Sequence, residues 1–88
     1  MKRLFKFHWY CGRNGDLNGL FVATREEVAT LIGKDVYFGE VLGKHSEVVG
    51  MLQEKDFEDL DIPEDTVLIL EEKCGSTISG FNPRDYLD

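Results

Sequence analysis

The sequence predicts an α+β fold: one small domain over residues 1–88, with a mostly antiparallel sheet of about five strands and two or three short helices. Three observations predict it. Residues 4–11 alternate apolar and polar side chains, the period of a half-buried strand. Thr24-Arg25-Glu26-Glu27 has the spacing of a capping box that opens a helix. Residues 36–52 read as two extended runs around a short turn. With 88 residues and 42% hydrophobic content, the chain has material for one core.

In the first strand Phe5, Phe7, Trp9 and Cys11 share one side, and Leu4, Lys6, His8 and Tyr10 the other. Asn14-Gly15 and Asn18-Gly19 then favour turns, so the chain is expected to return as a short strand over residues 20–23. The helix that follows Thr24 carries an apolar stripe of Val28, Leu31 and Ile32, and Gly33 is placed to end it. In the hairpin, a two-residue turn at Lys44-His45 would set Val41 opposite Val48, Tyr37 opposite Leu52 and Gly39 opposite Gly50. That uncharged face would lie on the core, its paired glycines forming a trough for the helix or, on the sharper reading, for a ligand. Residues 54–60 read as a short acidic helix or turn anchored by Phe57 and Leu60. Residues 66–70, TVLIL, read as a central strand, residues 73–81 as a loop, and Asn82-Pro83 as the start of a last helix.

The formal charge of −7 argues against a protein that binds nucleic acid by neutralising phosphates. The charge is also unevenly spread. Lys2, Arg3, Lys6, Arg13 and Arg25 dominate the first 25 residues, while residues 54–72 hold nine carboxylates against Lys55 alone. A solvated acidic face is the plain account of the second block, and a docking surface at Glu54, Asp56, Glu58 and Asp59 the functional one. No run of residues is long and apolar enough to span a bilayer, and the opening residues interleave charge with aromatics, so a cytoplasmic protein is expected. Cys11 and Cys74 are too few for a disulfide framework and are expected as packing residues.

His8, Cys11, His45 and Cys74 have the composition of a zinc site without its spacing, so neither a metal nor another cofactor is expected. His45-Ser46-Glu47 offers a base, a hydroxyl and a carboxylate, but strand neighbours point to opposite faces. As a binding tip the same turn is better suited: Lys44, His45 and Ser46 could meet an anion, with Tyr10 and Arg13 stacking on its flat part.

The segments VYFGEVLGKHSEV, residues 36–48, and GFNPRDYL, residues 80–87, resemble small uncharacterised proteins encoded by bacterial viruses. The resemblance implies a setting in which small proteins bind and disable a host factor. The expectation is therefore a non-enzymatic accessory protein that neutralises a host defence component. It would do so through an acidic protein-binding face or by sequestering a small anionic or nucleotide ligand; a small enzyme acting on a nucleotide or ester through His45 is the alternative. A homo-oligomer is expected, with Phe38, Leu42, Val49 and Met51 facing outward.

Overall fold

The computed structural model of the chain describes residues 1–10, 15–39 and 47–87. Strand β1 (Arg3–Tyr10) runs antiparallel to β2 (Asp16–Ala23), with Phe5 opposite Phe21 and His8 opposite Asn18. Helix α1 (Arg25–Leu31) leads into strands β3 (Asp35–Gly39) and β4 (Val48–Met51). A 3-10 turn (Glu54–Asp56), strand β5 (Phe57–Asp59), helix α2 (Glu64–Cys74), strand β6 (Thr77–Gly80) and a 3-10 turn (Pro83–Tyr86) complete the described chain. One sheet has the order β5-β1-β2-β6, antiparallel throughout, and β3 with β4 forms a second, two-stranded sheet. This is the expected α+β class, with one strand more than the sequence suggested among the described residues.

Alternation in β1 and β2 gives the larger sheet two faces with different fates. Phe5, Phe7, Leu17, Phe21 and Ala23 turn inward and pack with α1 and the β3–β4 sheet around Val28, Leu31, Val36 and Phe38. Leu4 and Val22 turn outward and are covered by Val67 of α2, with Leu60, Leu70 and Ile78 at the margin. The covering helix reaches only one end of the outer face. Lys6, His8, Tyr10, Asp16 and Asn18, farther along the same two strands, remain exposed.

Thr24 caps α1 as its spacing predicts: its Oγ1 accepts from the Glu27 amide at 3.1 Å, and the Glu27 carboxylate accepts from the Thr24 amide at 2.8 Å. That return bond, helped by Arg84, holds the Glu27 carboxyl below the usual carboxylate range. Gly33 follows with φ of 91°, the conformation that a glycine supplies cheaply at a helix end. Val28 and Leu31 are buried, whereas Ile32 leaves the stripe and is exposed.

Several expectations are corrected. Residues 66–70 lie inside α2, not in a central strand. A run of five apolar residues has no period of its own, and here Val67 alone is fully buried while Leu68 and Ile69 face out. The expected loop over residues 73–81 contains β6, which pairs with β2. The β2 strand starts at Asp16, four residues before the expected return strand. The acidic segment becomes a single 3-10 turn followed by the edge strand β5, and the last helix is also a 3-10 turn, with Asn82 Oδ1 accepting from the Arg84 amide at 3.1 Å. Cys74 is exposed, so it is not a packing residue; Cys11 lies outside the described residues.

The hairpin register also differs. Tyr37 stands opposite Val49, Val36 opposite Gly50, and Gly39 opposite Val48 across a bulge, so the expected glycine pair and Tyr37–Leu52 pair do not form. The expected Val41–Val48 pair and the turn at Lys44-His45 lie outside the described residues. The inward face is set by Val36 and Phe38, and Phe38 is buried among rings instead of facing outward: its ring centroid is 4.8 Å from Tyr86, 5.7 Å from Trp9 and 5.9 Å from Phe7. Gly50 serves Trp9, not α1. A methyl group there would stand 2.7 Å from the indole, so only glycine lets that ring lie against β4.

Candidate functional site

The segment of residues 53–59 is a wall with a depression on each side. It gathers all four carboxylates picked out in the sequence, Glu54, Asp56, Glu58 and Asp59, but sends them different ways. Strand alternation points Asp59 and Phe57 to the inner face beside Phe5 and Phe7, and Glu58 to the outer face opposite Lys6.

Asp59 is fully engaged. Its Oδ2 accepts from Arg3 Nε at 2.8 Å and Arg25 Nε at 3.2 Å, and its Oδ1 from Arg3 Nη2 at 3.2 Å and the Asp61 amide at 2.9 Å. The Arg3 bond outweighs partial burial and holds the Asp59 carboxyl below its usual range, and the same bond raises Arg3. Asp56 is engaged too, its Oδ2 accepting from the Gln53 amide at 2.8 Å. Elsewhere in the acidic block, Glu64 accepts from the Lys2 amide at 3.1 Å, and Glu71 from the Lys2 ammonium at 3.2 Å. The basic start of the chain and the acidic block are thus partly one another's partners. Among the described residues Glu54 and Glu58 take no such bond, and both are exposed.

On the inner side, between α1 and β5, lies a groove of about 320 Å³. Phe5, Val28, Ala29, Ile32 and Phe57 make its apolar walls, and Arg25, Glu54 and Asp59 its polar rim. On the outer side two adjoining depressions of about 300 and 220 Å³ share His8, Lys55 and Asp56. The larger continues to Trp9, Tyr10, Met51 and Gln53, and the smaller to Lys6, Asn18 and Glu58. His8 Nε2 lies 2.8 Å from Asp16 Oδ2, which fixes the imidazole on this open face. Tyr10 stands at its end with 74% of its surface exposed.

Of the residues assigned to a ligand by sequence, Tyr10 borders this outer site, while Arg13, Lys44, His45 and Ser46 lie outside the described residues. Sequence reasoning weighed His8 only as a metal ligand or a neighbour of Tyr10 and assigned none of Lys6, His8, Asn18 and Lys55 to a ligand. The alternation that placed Lys6, His8 and Tyr10 on one side of β1 was the available signal; missing was the knowledge that α2 would cover only half of that side. Among the described residues, no three His, Cys, Asp or Glu side chains gather closely enough to hold a metal ion, and no helix is long and apolar enough to cross a membrane. None of the family models, characterised proteins or solved structures compared with the chain matches it.

Proposed function

We propose that the chain is a non-enzymatic binding protein, an accessory protein of the bacterial-virus kind, that engages a basic, extended segment of a host protein along β5. One observation carries this reading: among the described residues β5 is an edge strand and its flanking carboxylates Glu54 and Glu58 are without bonding partners, and an apolar groove opens directly beneath it. An edge strand can accept another strand through its backbone, and a neighbouring groove selects the side chain that enters it. The acidic flanks discourage a second copy of this −7 chain from pairing there and steer a cationic segment in.

Capture from a bacterial lysate with identification by mass spectrometry supplies the partner, and association rates measured across a salt series test the mode. Binding is expected to slow as salt rises, and Glu54→Lys with Glu58→Lys to weaken it by roughly tenfold or more. Asp65→Lys with Glu72→Lys makes the same charge change on α2, away from the edge, and should leave most of the affinity. Equal loss from both pairs would reduce the effect to net charge and reject β5 as the docking edge.

A further inference from the structure

Beyond that protein interface, we infer that the uncovered half of the sheet's outer face is a second binding site, for a small ligand joining a flat polar ring to an anionic group, the chemistry of a nucleoside monophosphate. The two outer depressions differ along their length. At one end the Tyr10 ring and the Met51 thioether form a ring-accepting wall, with Gln53 beside them to bond a polar ring edge. Toward the other end stand Lys6 and Lys55, neither paired with a carboxylate among the described residues, together with the Asn18 amide. His8 and Lys55 border both, so one elongated ligand can contact them while reaching each end.

The charges on this face sort into engaged and unengaged groups. Asp16 is held by His8, and Asp56 accepts from the Gln53 amide, so both carboxylates have their attraction partly answered. Glu58 has no bonded partner among the described residues and opposes an anion placed near Lys6. The larger depression, about 300 Å³, lies at the lower end of the range for small-molecule sites, which favours one ring with a short anionic arm over a dinucleotide. The floor is a paired sheet built on β1 and β2, so it is formed before a ligand arrives.

Titration of the full-length chain with adenosine 5′-monophosphate, adenosine and inorganic phosphate, followed by calorimetry and amide NMR shifts, tests the site. The monophosphate should bind with a dissociation constant below about 1 mM and shift amides at Lys6, His8, Asn18 and Lys55, with adenosine and phosphate each roughly tenfold weaker. Tyr10→Ala and Lys55→Ala should each cost roughly tenfold, while Glu58→Gln should strengthen binding several-fold because it removes the opposing charge. All three positions are exposed, and unchanged melting curves would show that the fold is intact. No binding at millimolar monophosphate, shifts confined to other surfaces, or affinity indifferent to both alanine variants would overturn the site. Glu54→Lys separates this inference from the protein interface: it should weaken partner capture and spare the nucleotide, whereas Tyr10→Ala should do the reverse.

Discussion

Asp59 sits where three segments of the chain meet, and its bonds explain why the basic start and the acidic middle of the sequence coexist in one small fold. Arg3 is the stronger of its two cationic partners, because its side chain is 15% exposed against 69% for Arg25, and water screens the outer pair more. The sign of the linkage follows from the direction of the shift. The folded carboxyl lies below its ordinary value of 3.8, so the unfolded chain takes up the proton first as pH falls. The stabilisation is therefore complete above the ordinary value and is lost as pH drops through the lower, folded one. Asp59→Asn should lower the melting temperature by about 5 °C at neutral pH, and the gap from the parent should close in strong acid. Thermal melts over a pH series measure it; a gap that stays constant with pH would assign the loss to packing and not to charge. Glu72→Gln, at an exposed carboxylate, should leave the melting temperature unchanged across the series.

At the scale of elements, what was legible in the sequence was whatever depends on neighbours a few residues apart. The period-two pattern of β1 through Tyr10, the Thr24–Glu27 box and the Asn82 cap ahead of Pro83 need only local chemistry and are found, although the last of these opens a 3-10 turn instead of the expected helix. The hairpin register needed the turn length and the ring cluster around Phe38, neither of which the strand residues encode alone. Helix α2 shows the limit most clearly. The five residues TVLIL satisfy a buried strand as well as a helix; their environment decides, since Val67 and Leu70, three apart, meet the sheet while Leu68 and Ile69 point away. The candidate site divides along the same line: the alternation that puts Lys6, His8 and Tyr10 on one side of β1 is legible in the sequence, but which half of that side stays open depends on where α2 comes to rest. Helix α2 gives a direct check. Val67→Ala should cost about 2 kcal/mol through the cavity it leaves, whereas Ile69→Lys, at a side chain 57% exposed, should change stability by less than about 0.5 kcal/mol. Urea titration distinguishes them, and a large loss from Ile69→Lys would restore the central-strand reading.

At the scale of the whole molecule, the two-stranded sheet leaves an apolar surface that reaches the outer depression at Met51. On the outward face of the two-stranded sheet, Val49 is 55% and Met51 52% exposed, with Tyr37 opposite Val49. Among the described residues β4 pairs with β3 alone, whereas the far side of β3 meets Leu87 at Val36. The Leu52 amide donates to Lys34 at 2.9 Å and its carbonyl accepts from Gly33 at 2.8 Å, so Leu52 turns its backbone toward β3. Antiparallel alternation then turns the backbone groups of Val49 and Met51 the other way, along the edge. A second copy approaching antiparallel could pair with that edge and cover both side chains at once, as symmetric dimers do with one surface. The expected outward set changes accordingly: Phe38 belongs to the core, Leu42 lies outside the described residues, and Tyr37 joins Val49 and Met51. Each copy carries −7, so screening should strengthen the association instead of weakening it, opposite to the salt response expected of a basic partner at β5. Sedimentation equilibrium at rising salt should show a dimer that tightens, and Val49→Lys with Met51→Glu should return it to monomer without lowering the melting temperature. A parent chain that remains monomeric at high micromolar concentration in high salt would reject the dimer, and dimerisation that survives both substitutions would move the contact away from β4.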